Sequence, residues 1–280
     1  MKKRLFVFLF VIPLALSGCS TQFVYNNIDW LIHWYLDDYV DLTKSQKKRF
    51  DGKMQLWLSW HKNTELASYQ AQLTELKRAI SEEVLTPRLW LHHSQLAREH
   101  WFRFRNTLSP DLLELAMELS NEQIEELFAA LEQKTQAWQQ ERAGKSHEAL
   151  SRLRAKELTD RIKPWTGKLN QAQKQLIADY SRQHISSFQS FIQYRRNWQA
   201  RAKALLLDRE SQDFKPLFLQ LLTEPERFRP PELTRTWAVN RQLRAQLMSD
   251  LHASLTVKQK RRLNHKLTDL IEDLTELQEE

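Results

Sequence analysis

Leu42-Thr43-Lys44-Ser45-Gln46 is the stretch from which the fold is read. A hydroxyl three residues ahead of a glutamine makes a capping box. The hydroxyl accepts from the backbone N–H of the third helical residue, and the glutamine reaches back to the N–H of the cap. Two of the four N–H groups that a new helix leaves without partners are satisfied this way. The pattern returns as Leu119-Ser120-Asn121-Glu122-Gln123, as Leu169-Asn170-Gln171-Ala172-Gln173 and as Leu255-Thr256-Val257-Lys258-Gln259. The spacings of 77, 50 and 86 residues are irregular, which argues against a solenoid and for four separately started helices.

Apolar stripes at helical spacing run outward from the boxes. Residues 26–41 read as a short helix with Ile28, Ile32, Tyr35 and Tyr39 on one face. After the first box come Phe50, Met54 and Trp57, then Tyr69, Leu73, Leu76 and Ile80. Thr86-Pro87 opens a helix to about Leu108, and Ser109-Pro110 is expected to open another, short one through Leu119. The second box leads Ile124, Phe128, Leu131 and Trp138. The stripe then weakens at Gly144 and resumes from Leu150 until Pro164. Helices through Ile177, through Phe188 to Leu206, through Phe214 to Leu222, from about Glu232 to His252, and through Leu263 to Leu277 complete the chain. Only four glycines are present, too few for β turns or a glycine-rich phosphate loop. The expected fold is all-α: a bundle of roughly eight to ten helices, several long, packed antiparallel. Residues 25–280 form the domain, with two packed halves, 25–163 and 164–280, as one possible division.

Location is legible at the other end. Lys2, Lys3 and Arg4 precede an apolar run from Leu5 to Leu16, too short for a spanning helix and laid out as a secretory signal. It ends in Leu16-Ser17-Gly18-Cys19, which holds the only cysteine. This resembles the lipobox of bacterial lipoproteins. The resemblance implies a signal peptide over 1–18, a lipid such as palmitate on Cys19, and a tether over 19–24. Between Cys19 and the aromatic Tyr25 the leash spans at most about 20 Å, so the body is expected against the membrane. Ser20 stands where the family's inner-membrane proteins carry Asp, which implies the periplasmic face of the outer membrane. Removing the signal leaves 39 basic against 35 acidic residues, a mild balance that excludes a nucleic-acid binder. No disulfide is available, so stability must come from apolar burial.

The side chains offer few catalytic patterns. His93 and His100 share a face but lie about 10.5 Å apart along the axis, too far for one metal. His92 points elsewhere, and His61 with Glu65, at a spacing of four, lacks an identifiable third ligand. No metal or other cofactor is expected. Adjacent Asp37 and Asp38 diverge by about 100° on a helix, so they do not form a glycosidase pair. No nucleophile motif appears, and the chain is expected not to be an enzyme. Arg195 interrupts an apolar stripe, as Asp38 does beside Leu31 and Trp34. The expectation is an ion pair of Asp37 or Asp38 with Arg195 or Arg196. Of the ten tryptophans, Trp30 and Trp34 are candidates for the membrane interface.

Two family resemblances follow. Tyr25-Asn26-Asn27-Ile28-Asp29-Trp30, Trp34 through Thr43, Arg195-Arg196-Asn197-Trp198-Gln199 and the closing Leu255-Thr256 box resemble a family of bacterial lipoproteins of unknown function. That likeness implies an all-helical envelope lipoprotein and brings no reaction with it. The Leu-Thr-x-x-Gln boxes at Leu42 and Leu255 are also similar to those of the small Spy-type periplasmic chaperones. The functional expectation is a lipid-anchored, non-enzymatic binding or scaffold protein with an envelope protein, glycan or lipid as partner. The alternatives are a chaperone-like client binder and an enzyme acting on peptidoglycan or lipid.

Overall fold

The computed structural model describes residues 24–82 and 85–279. Among the described residues it is all-α, with no strand and eleven α-helices, one more than the upper expectation. In order these are α1 (Ile28–Leu36), α2 (Lys44–Trp60), α3 (Leu66–Ser81), α4 (Pro87–Met117), α5 (Asn121–Arg142) and α6 (His147–Thr166). They continue as α7 (Gln171–Gln183), α8 (Phe188–Leu207), α9 (Phe214–Thr223), α10 (Pro231–Ala253) and α11 (Val257–Glu279). A π-helical turn, His61–Glu65, joins α2 to α3, and a 3₁₀ turn, Pro225–Phe228, follows α9. The segment expected to be a signal peptide, and Cys19, lie outside the described residues.

The largest core gathers Leu113, Leu119, Ile124, Phe128, Leu206, Phe214 and Leu221 from α4, α5, α8, α9 and the intervening turn. A second, of Leu169, Ile177, Tyr180, Leu247 and Leu251, lies between α7 and α10. The last helix packs along α3, joining Leu274 and Leu277 to Leu66, and Leu267 to Ile80. At about 25 cal/mol per Å² of apolar surface, these contacts are the main source of stability.

Two expected breaks are absent. Ser109-Pro110 does not start a helix, because α4 runs through it for 31 residues. Leu108 and Leu113 are buried on either side, and Asp111 in the next turn is held by Lys53 at 2.5 Å and by the Trp57 indole N–H at 2.7 Å. Packing on both flanks offsets the hydrogen bond that the proline removes. Pro164 is likewise carried inside α6, which ends two residues later where Gly167 adopts φ +80° and donates to the Lys163 carbonyl. A residue with a Cβ would be strained there.

All four boxes form, and they do more than cap. Gln46 Nε2 donates to Gln123 Oε1 at 3.0 Å, and Gln123 Nε2 donates to Gln46 Oε1 at 2.8 Å. Each amide also donates to a carbonyl two residues ahead of the other's cap, Glu118 at 2.8 Å and Asp41 at 2.7 Å. Each Oε1 accepts from its own cap N–H at 2.9 Å. Gln173 and Gln259 repeat the arrangement, with amide bonds of 2.8 and 3.0 Å and the carbonyls of Ser254 and Lys168 each at 3.0 Å. A glutamine amide has two donors and two acceptor sites, and all are filled. The boxes therefore join helix starts in pairs, α2 to α5 and α7 to α11.

Candidate functional site

The densest polar cluster inside the fold is built on the π-turn. There the Leu66 N–H bonds to the His61 carbonyl, five residues back, so the turn is one residue wider than an α-turn. The widening places the consecutive residues Glu65 and Leu66 both in the interior, at 1% and 2% exposure. A buried carboxylate requires a cation and directed hydrogen bonds. Arg103 of α4 supplies both, with Nε at 2.8 Å from Oε1 and Nη2 at 3.0 Å from Oε2. This fork geometry is the strong form of an ion pair.

Histidines flank the pair. His100 Nε2 lies 2.7 Å from Gln72 Oε1, an oxygen that only accepts, so the proton sits on Nε2. Its Nδ1 then accepts from Arg103 Nη2 and stands 3.4 Å from Glu65. Burial first, and then the Arg103 charge, lower the His100 pKa and favour this neutral form. His61 bridges two phenols, with Nδ1 3.2 Å from Tyr25 Oη and Nε2 3.3 Å from Tyr69 Oη. Burial lowers its pKa too, and pushes Tyr25 up to about 12. Tyr69 stands edge-on to His100 at 4.7 Å between ring centres.

This arrangement fixes charge rather than exposing it. Both Glu65 oxygens are engaged by Arg103, and the imidazole nitrogens face phenols, an amide and a guanidinium. The shallow groove along α3, lined by Ala67, Gln70, Ala71, Thr74, Glu75 and Arg78, includes none of these groups. His61 and Glu65, four residues apart, sit in one π-turn, which their spacing did not reveal. The spacing alone did not show that Glu65 belongs to Arg103. His93 is buried on α4, with neither ring nitrogen bonded. Among the described residues no three His, Cys, Asp or Glu converge as metal ligands.

The second candidate group is rearranged. Asp37 or Asp38 was expected to pair with Arg195 or Arg196, but the four separate. Asp38 pairs with Lys134 at 3.1 Å and Asp37 with Lys47 at 3.3 Å, while Arg196 takes Glu132 at 2.6 Å. Arg195 donates to the buried Thr135 Oγ1 at 3.1 Å and lies over the Trp138 ring at 5.1 Å. The reason is the stripe itself. α8 turns Arg195 and Arg196 toward α5, whose Thr135, Trp138 and Glu132 receive them. Lys134 of α5 reaches the other way, over the rings of Tyr35 and Tyr39 at 5.2 and 4.0 Å. Residues 35–39 are thus tied to the bundle through α5 and a cation–π contact.

Trp30 and Trp34 lie on α1, stacked at 6.5 Å with planes 15° apart. They are 64% and 42% exposed. Two stacked indoles in solvent form an apolar patch on α1. No helix among the described residues is long and apolar enough to cross a membrane.

Residues 38–234 match a family of unknown function (DUF6279). The chain belongs to this family. The matched span takes in the Glu65–Arg103 pair, the Arg195 stack and three of the four glutamine boxes, and it ends in the first turn of α10. No curated protein and no solved structure matches the chain. The family description attaches no reaction to these residues.

Sequence reasoning did not single out Arg103, one of many charges along the α4 stripe. A signal was present, since Arg103 lies seven residues after Leu96 on the α4 stripe and its partner Glu65 precedes Leu66 on another.

Proposed function

We propose that this chain is a lipid-anchored protein of the outer membrane that faces the periplasm and works by binding an envelope partner, not by catalysis. One observation carries the reading: Tyr25, six residues beyond the lipobox cysteine, is part of the body. Its ring packs with Leu66, Leu274 and Leu277, and its hydroxyl meets His61. A lipid on Cys19 would hold the body within about 20 Å of the bilayer surface. The stacked Trp30 and Trp34 then lie near enough to enter the interface. The binding reading is supported by the way the interior polar groups are used, since Glu65, Arg103 and the glutamines are each committed to neighbours within the fold. The boxes that resemble those of Spy-type chaperones are occupied here as helix junctions.

The test is incorporation of labelled palmitate in cells, followed by density-gradient separation of membranes. The expected result is label in the wild-type chain within the outer-membrane fraction and none in Cys19→Ser. Label in neither chain, or equal membrane retention of both after processing, overturns the reading. Turnover of purified cell wall or phospholipid by the wild-type chain would replace binding with catalysis.

A further inference from the structure

At the far end of the bundle α6, α7 and α10 meet in a junction whose charges are not balanced. Arg154 of α6 donates to the Ser181 carbonyl at 2.8 Å, in the last turn of α7. Arg244 of α10 and Arg142, at the end of α5, lie within its field, with Glu157 on α6 as a partial offset. Among the described residues none of these three arginines has a carboxylate within salt-bridge distance. Arg142 rests on the Phe188 ring at 4.3 Å.

Two hydrogen-bonding atoms at the same place meet no neighbouring group. Tyr180 is only 5% exposed, yet its hydroxyl has no partner, and the buried Nδ1 of His184 one turn on has none beyond the backbone of its own residue. Their rings stand edge to face, 6.0 Å apart. A buried donor without a partner costs about 1–3 kcal/mol, and two together beside unpaired guanidiniums are unusual in a finished interior. Arg154 has a structural role as a cap on α7, because a helix C-terminus carries about half a negative charge. That half charge is smaller than the charge of Arg154 and Arg244 together, and capping leaves Tyr180 and His184 unexplained.

We propose that the α6–α7–α10 junction binds a phosphate-type oxyanion, held by Arg154 and Arg244 and hydrogen-bonded by Tyr180 Oη and His184 Nδ1. Phosphate offers several acceptor oxygens, which suits two guanidiniums and two further donors in one place. Neutral His184 donates from Nδ1, and its pKa, lowered to about 4 by burial and the two arginines, keeps it neutral. An anion seated there would raise that pKa toward its ordinary value. The oxyanion is either free in solution or the headgroup of an anionic lipid. The site does not depend on how the chain is anchored.

The experiment uses the mature chain carrying Cys19→Ser, which keeps it in solution. Inorganic phosphate is titrated against chloride at equal ionic strength while His184 is followed by NMR. Vesicles of phosphatidylcholine with and without phosphatidylglycerol form the second arm, read by co-sedimentation. The expected result is an upward shift of the His184 titration with phosphate. Affinity should fall about tenfold in Tyr180→Phe, the loss of one directed hydrogen bond, and further in Arg244→Gln. A phosphate response lost in Arg244→Gln assigns a free oxyanion. Sedimentation with phosphatidylglycerol alone, lost in the same variant and without a phosphate response, assigns the lipid headgroup. A His184 titration unmoved by phosphate together with no vesicle binding overturns the proposal, and so does binding equal in wild type and both variants.

Discussion

The two ends of α7 treat buried polar groups in opposite ways. At its start, Gln173 is fully buried, and both its donors and its acceptor are engaged by Gln259, Ser254 and the Asn170 cap. At its finish, seven and eleven residues further along, Tyr180 and His184 each bury an atom with no neighbouring side chain opposite it, and the guanidiniums nearby lack carboxylates. One helix therefore carries both a closed polar junction and an open one. Closure is what a joint between helices requires, since an amide with all four valences filled tolerates no other neighbour. Openness is what recognition requires, because a group already satisfied has nothing to offer a ligand.

The largest effect is expected where a closed junction holds a charge. Arg103→Ala leaves Glu65 buried without a cation and is expected to cost about 3–5 kcal/mol, read as a fall in the urea midpoint. A loss below about 1 kcal/mol would mean that the carboxylate is solvated and the π-turn cluster is not closed. Gln173→Ala comes next, at about 2–4 kcal/mol, since it opens a cavity and leaves the Gln259 amide and the Ser254 carbonyl unmatched. Gln173→Glu should not rescue it, because a carboxylate cannot donate to that carbonyl.

At the open end the effects are smaller and depend on pH. His184 has a folded pKa of about 4, below its unfolded value of about 6.5. Between those values the unfolded chain takes up a proton that the folded chain refuses. The stability tied to His184 is therefore complete above about pH 6.5 and is lost as pH falls toward 4. His61, His93 and His100 are shifted in the same direction, so the site is isolated by comparing wild type with His184→Gln. The variant should lose about 1–2 kcal/mol less on acidification from pH 7 to 4.5, a figure discounted for the partial exposure of the ring. Parallel curves would remove His184 from the argument. The smallest effect is expected of Tyr180→Phe, which removes an unmatched buried hydroxyl and should raise the urea midpoint by the equivalent of about 1 kcal/mol, since the penalty for burying it is relieved. A large loss there would show the hydroxyl to be engaged, and the two ends of α7 to be alike.

Much of this architecture is written in local sequence. Thr43, Ser120, Asn170 and Thr256 mark helix starts by hydrogen bonds made within four residues, so they are readable without tertiary information. The second half of each box is not. A capping box uses the glutamine oxygen, and nothing in the five residues says where the Nε2 protons go. Their destinations lie 72 to 91 residues away. Pro110 misled for the converse reason: a local breaker was overridden by packing at Leu108 and Leu113. The π-turn was hidden because a stripe at steps of three and four absorbs one additional residue without losing its apolar face. Arg195 was visible as a charge in an apolar stripe, and Arg154, between Leu150 and Leu158, and Arg244, beside Leu243 and ahead of Leu247, carry the same mark. Which partner meets such an arginine depends on how helices rotate against one another, and for that reason Asp38 was assigned to the wrong cation.

The position of α11 has a consequence for how the chain folds. Its 23 residues cover α3 and supply Gln259, the partner without which Gln173 is unmatched. These contacts join it to segments far earlier in the chain, so one face of α3 and one whole junction stay uncovered until α11 has docked. Any state in which α11 is detached therefore uncovers the apolar face around Leu66 and leaves Gln173 unmatched, so two separated parts of the molecule are exposed at once.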